Sequence, residues 1–169
     1  MTDTELNSAK LRTVAFASRF VASADLSNLD RTIARQMLGE GIRKLHDRAV
    51  SFRGQGKFRG HAHWSCTALA LLRNNGGTER GIKKLLSHEH VVPVNVVLDI
   101  LLRNASATID DMEGLIRRFS VVAIITREEE AILSKGGLKN KMPEHWDGND
   151  VWARYKQVGL YERIESVIV

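Results

Sequence analysis

The sequence predicts a mainly α protein: a single helical domain with a small β element near residues 88–92 and 121–125. Three observations predict it. Apolar residues recur at three- and four-residue spacing along most of the chain. Capping residues, glycines and prolines stand at the ends of those runs. One short run, from Val121 to Ile125, is β-branched and continuous instead, as a buried strand would be.

Leu6, Leu11, Val14, Ala15, Ala17, Phe20 and Val21 give residues 5–24 one apolar face. Ser27 or Asn28 can cap a second helix over about 29–50, carrying Ile33, Met37, Leu38, Ile42 and Leu45. His46 reads as a residue at the edge of that helix. Residues 51–60 hold three glycines and form a loop. A helix over 65–73 buries Ala68, Leu69, Leu71 and Leu72, with Cys66 packed among them as a small apolar residue. Asn74 to Gly77 ends it, and Thr78 caps a short helix that turns Ile82, Leu85 and Leu86 inward.

Residues 88–92 precede Pro93, which favours extended geometry before it and a helix start at it. That helix carries Val94, Val97, Leu98, Leu101 and Leu102. Thr108 with Asp111 forms a capping box for the next, which carries Met112, Leu115, Ile116 and Phe119. Thr126 with Glu129 repeats the box after the strand and opens a helix to about Ser134, closed by Gly136 and Gly137. Residues 138–149 are irregular. A last helix holds Val151, Trp152 and Tyr155 and stops at Gly159. The apolar tail of residues 160–169 packs on the body or on a second copy. The segments are a helical pair at 1–50, a basic glycine-rich loop at 51–63, a histidine- and glutamate-bearing core at 64–137, and a C-terminal helix and tail at 138–169.

The chain has 169 residues, 43% of them hydrophobic, which excludes global disorder. No apolar run approaches the roughly 20 residues of a membrane-spanning helix, and the acidic start Met1 to Glu5 is not a signal peptide. One cysteine excludes a disulfide framework and a cysteine-built zinc site, and suits the reducing cytoplasm. The net charge of +5 is unevenly spread: residues 1–50 carry +2, 51–84 carry +6, 85–130 carry −4 and 131–169 carry +1. A basic block so placed suits a polyanion, and equally a solvated face. Within it Arg53, Lys57 and Arg59 alternate with Phe52 and Phe58, a pattern able to hold phosphates and stack on bases. Lys83 and Lys84 extend the block. The same pattern also suits phenylalanines pinning a loop to the core.

Two stretches carry candidate chemistry. His88-Glu89-His90 stands before Val91-Val92-Pro93, and Glu128-Glu129-Glu130 follows Thr126-Arg127. Imidazole has both protonation states within reach near neutral pH, and a carboxylate offers a hard divalent ion an anionic oxygen. The plain alternative makes Glu89 and the three glutamates favourable charges at helix starts. His61 and His63, two apart, fall on one side of an extended chain and form a second, weaker imidazole pair.

Glu89-His90-Val91-Val92-Pro93 resembles the opening signature of the HNH (ββα-metal) nucleases. The resemblance implies a metal-dependent endonuclease acting on DNA or RNA. It makes His90 the general base with His88 in support, and Glu89 a ligand of a divalent ion such as Mg²⁺ or Mn²⁺. One of Glu128, Glu129 and Glu130, on the following helix, would complete the metal shell. The chain departs from that family after the histidine. Residues 94–119 read as an inserted helical hairpin instead of a compact β-hairpin. The competing reading is a non-catalytic accessory protein, of the phage or mobile-element type, that binds nucleic acid or protein. An oligomer built through the tail would fit it.

Overall fold

The computed structural model describes residues 3–46, 57–58 and 60–167. In chain order the elements are α1 (Asp3–Ser23), α2 (Asn28–Leu45), β1 (His63–Ser65), α3 (Cys66–Asn74), β2 (Leu86–His90), α4 (Val94–Arg103), α5 (Ile109–Phe119), β3 (Val122–Thr126), α6 (Arg127–Lys135), α7 (Ala153–Gln157), and a 3₁₀ turn (Tyr161–Arg163) leading into β4 (Ile164–Ser166). The mainly α class holds. The β element is larger than the sequence indicates, a four-stranded sheet. The elements gather into two compact units, Met1–Ala49 with Val94–Ser120 and Val50–Pro93 with Val121–Val169.

The first unit packs α1 against α2, α4 and α5. Leu11, Val14, Ala15, Ser18 and Val21 recur at helical spacing and are the buried side of α1. Ser27 caps α2 by accepting from the Asp30 amide at 3.2 Å. The capping box of Thr108 and Asp111 is formed in both directions at the start of α5. Arg12 reaches Asp110 and Glu113 on α5, and Arg35 reaches Asp99 and the Asn95 carbonyl on α4. Such exposed pairs are worth about 0–1 kcal/mol each, so the aliphatic core holds this unit.

The second unit holds the sheet, in the order β2-β3-β1-β4. β1 and β3 run parallel, and the other two pairings are antiparallel. β3 lies inside, and all five of its residues are buried, which is why its Val/Ile run shows no alternation. One face packs Phe58, Trp64, Leu69, Leu72, Leu86 and Ile124 with α3. The other packs Val91, Ala123, Ile125, Leu133, Tyr155 and Leu160 with α6 and α7. A fully buried aliphatic side chain contributes about 1.5–3 kcal/mol, so these two layers fix the sheet. The Val91 amide donates to the Val121 carbonyl at 2.8 Å, closing the ends of the chain around the inserted residues 94–120.

Three local expectations need correction, and the tail takes one of its two alternatives. The short helix after Thr78 does not form: Gly81 adopts φ 88°, which a helix cannot continue, and Leu86 is drawn into the sheet opposite Thr126. Cys66 is exposed on the first turn of α3, not packed. The last helix begins at Ala153, so Trp152 stands at its N-cap and Val151 before it. Residues 164–166 of the tail pair antiparallel with β1, with Val167 N–H donating to the Ala62 carbonyl at 2.8 Å, so that stretch is consumed within the chain.

Candidate functional site

β2 carries the whole His88-Glu89-His90 stretch. Successive strand residues point to opposite faces. His88 and His90 therefore share the α3 face with Leu86, and the ring centroids of the two histidines lie 5.9 Å apart. His61 joins them, edge-on to His88 at 4.6 Å. Glu89 leaves the strand on the other face, toward α7. The pleat therefore sends the imidazoles of His88 and His90 and the carboxylate of Glu89 to opposite faces of β2.

On the second face Glu89 meets Arg154 of α7, whose side chain is 0% exposed. The Arg154 guanidinium donates to one Glu89 carboxylate oxygen and to the carbonyls of His90, Val91 (2.6 Å), Leu138 (2.8 Å) and Lys139 (3.2 Å). One side chain thus ties the end of β2 to the 138–139 loop and to α7. The planar five-donor fork of arginine can do this; a lysine ammonium cannot. Burial pushes the Glu89 carboxyl above its ordinary range and outweighs the neighbouring guanidinium, which pulls it down. Burial, with Glu89 close by, also pushes the Tyr155 phenol well up, so Tyr155 stays protonated. His63 lies on this face too, edge-on to Trp152 at 5.2 Å, and burial lowers its pKa. His61 and His63 therefore do not form a pair: β1 begins only at His63, so the alternation of a strand does not reach back to His61.

The glutamates of α6 part ways as well. Glu129 is buried and completes the capping box with Thr126. Its Oε2 accepts from the Thr126 amide at 2.9 Å and from the Ser65 hydroxyl at 2.6 Å, while Ser65 caps α3. The parallel strands β1 and β3 end side by side, so one carboxylate serves the N-termini of both following helices. Those positive helix ends, where a phosphate could otherwise sit, hold an anion of the chain itself. Glu128 is exposed, and Glu130 pairs with Arg127 at 2.6 Å. Among the described residues no group of three or more His, Cys, Asp or Glu is arranged to hold a metal ion.

No protein-family model, curated protein or solved structure matches this chain.

Phe58, α3 and Ile82 pack on the histidine face of the sheet. Glu79, the single acid among residues 51–84, is 5% exposed and accepts from the backbone amides of Lys57 and Phe58. Lys57, Arg73, Arg80, Lys83 and Lys84 are all exposed. Arg53 and Arg59 fall outside the described residues. Phe58 is buried in the core, so it pins the loop and offers no face for stacking.

Arg154, Tyr155, Ser65 and Glu79 were missed as organising residues by sequence reasoning. The capping positions of Ser65 and the polar break at 77–79 were visible. The role of Arg154 had no local signal, because its acceptors lie up to 65 positions away.

Proposed function

We propose that this protein binds nucleic acid by its phosphate backbone, through the exposed cations of residues 57–84, without cutting it. The burial of Glu79 is the observation that carries the reading. With its one acid internalised and held by two amides, the described surface of this segment presents Lys57, Arg73, Arg80, Lys83 and Lys84 with no carboxylate among them. Each phosphate neutralised releases condensed counter-ions, so cations alone give binding that weakens steeply with salt. Phe58 and Trp64 are both buried, which favours backbone contact over base stacking and hence little sequence preference. The reading keeps the protein in the cytoplasm, where the exposed thiol of Cys66 stays reduced.

The endonuclease suggested by the Glu89-His90 resemblance requires Glu89 to be free for a divalent ion. Its ion pair with buried Arg154 supports a structural role instead. The test titrates labelled DNA and RNA at several salt concentrations and incubates plasmid with Mg²⁺ and with Mn²⁺. The reading expects binding whose logarithm falls linearly with log salt, and intact plasmid. A flat titration at low salt removes it. Metal-dependent nicking lost in His90→Ala moves the protein to the endonuclease class.

A further inference from the structure

The exposed cations of residues 57–84 form a strip with a definite length. β1 ends at Ser65, and α3 leads back from there over β1 and β3 to Asn74. β2 begins at Leu86, opposite Thr126, at the end of the sheet where β1 and β3 finish and α3 starts. Residues 75–85 therefore return along the length of α3, which over nine residues is about 13 Å. Arg73 stands at one end of that return, Lys83 and Lys84 stand at the other, and Arg80 lies between them. The Glu79 carboxylate accepts from the Lys57 amide, which adds Lys57 to the middle.

The backbone of the strip is fixed by hydrogen bonds. The Gly77 amide donates to the Leu72 carbonyl at 2.9 Å, and the Asn75 side-chain amide donates to the carbonyls of Thr78 and Arg80 at 2.7 and 2.8 Å. The Lys83 amide donates to the Glu79 carbonyl at 3.1 Å, and the Leu85 carbonyl accepts from the Arg127 amide at 2.8 Å. Residues 73–78 carry no acid. At the Lys84 end Glu130 is paired with Arg127, and Glu128 is exposed. The exposed Glu165 lies on β4, at the other edge of the sheet from β2. Phe58 and Trp64 are buried with Leu72 and Ile82, and the half-buried His88 ring is edge-on to His61 at 4.6 Å and to His90 at 5.9 Å. Phe52 lies outside the described residues.

We propose that this strip selects double-stranded nucleic acid over single strands, which rests on the phosphate-backbone reading and goes beyond it. A single strand is held largely by stacking its free bases on aromatic faces. The described rings beside the strip are buried or turned against one another, so they offer a base little. What the strip offers is charge at fixed positions, and the partner with more charge along its length gains more from it. A duplex carries one charge per about 1.7 Å of its axis, both strands counted, and one strand at the same rise carries half of that. Over the strip a duplex lays roughly eight phosphates alongside the five cations Lys57, Arg73, Arg80, Lys83 and Lys84. The salt slope per cation is about 0.9 on a duplex and about 0.7 on a single strand. With all five engaged and a common affinity at about 1 M salt, the duplex binds about tenfold more tightly at about 0.1 M.

The experiment is fluorescence anisotropy of the full chain with a labelled duplex and with each of its separate strands, in DNA and in RNA, across about 0.05–0.2 M salt. Wild type, Arg73→Gln and Lys84→Gln are compared. The duplex should bind about tenfold more tightly than its own strands at about 0.1 M salt, in DNA, in RNA or in both. Arg73→Gln and Lys84→Gln should each weaken duplex binding and flatten its salt slope by about one, because the strip is engaged from end to end. Both should keep the wild-type melting temperature, since both side chains are exposed. Single strands that bind as tightly as the duplex, or more tightly, in both nucleic acids overturn the proposal and leave the phosphate-backbone reading standing. Duplex affinity unchanged by Arg73→Gln or by Lys84→Gln also overturns it. No binding to any of these probes at low salt removes the proposal and the reading together.

Discussion

Glu89 and His90 share a peptide bond, yet their side chains leave β2 on opposite faces, and the two faces differ in kind. The α7 face is largely closed, with Arg154 0% exposed and Glu89 keeping 18% of its side chain exposed. There a carboxylate, a guanidinium, four carbonyls and a phenol surround one another under apolar packing. The α3 face combines half-buried imidazoles with a layer whose exposed charges are all positive among the described residues of 57–84. Residues that look like one constellation in sequence are divided by the pleat between two faces of the sheet. A motif read along a strand brings together alternate residues, not successive ones.

The comparison breaks most easily at Arg154. Arg154→Leu strands the Glu89 carboxylate and four carbonyls in the interior. Removing one partner of a buried pair costs about 3–5 kcal/mol, and Arg154→Lys should recover little of it, because an ammonium cannot span the same acceptors. Urea denaturation at neutral pH measures both. A loss below about 1 kcal/mol would mean the α7 face is not held by this ion pair.

Glu129 comes next. Glu129→Ala removes the acceptor of the Ser65 hydroxyl and of the Thr126 amide and leaves two buried donors unpaired, while both helix caps persist. With an unpaired buried donor costing about 1–3 kcal/mol, the substitution should cost roughly 2–3 kcal/mol, read by the same denaturation. Glu129→Gln keeps one carbonyl oxygen and should fall between the two. Equal stability of Glu129→Ala and wild type would show that the two donors do not depend on this carboxylate.

On the other face the effect should fall on binding alone. Lys83→Glu/Lys84→Glu should weaken nucleic-acid binding by about tenfold or more and flatten the salt dependence by roughly two contacts. Its melting temperature should match the wild type, both lysines being exposed.

The smallest effect is a pH dependence. Burial raises the folded-state pKa of Glu89 above its unfolded value, so the folded chain binds that proton more tightly. Its contribution to stability is therefore present below the unfolded value and is lost as pH rises through the folded one. The melting temperature of the wild type relative to Glu89→Gln should rise as pH falls from neutral into that window. A difference that stays constant with pH would place the Glu89 carboxyl in a solvent-like setting. The exposed Asp111 and Asp147 act in the opposite sense, since hydrogen bonds from Thr108 and Asn149 hold their pKa values down.

Much of the fold was legible because its signals are local. The capping boxes at Thr108 and Thr126, the Ser27 cap and the β3 run each declare themselves within five residues. The inserted α4–α5 hairpin followed from apolar spacing alone. Strand β4 and the strand start at Leu86 were not legible, because both depend on a partner strand far along the chain. The partners of the site residues were not legible for the same reason. Glu89 and Glu129 are acids whose partners, Arg154 and Ser65, lie 65 and 64 positions away. Local reading therefore left their carboxylates free to bind a metal. The charge imbalance of residues 51–84 was plain in the sequence. That Glu79 is internalised was not.

The most direct measurement sets one substitution from each face in a single assay: nucleic-acid affinity across salt for Glu89→Gln and for Lys83→Glu/Lys84→Glu, beside the wild type. The division of β2 between the two faces of the sheet predicts that Glu89→Gln binds as the wild type does, while the lysine variant loses affinity and salt slope. Binding that collapses in folded Glu89→Gln and persists in the lysine variant would contradict it.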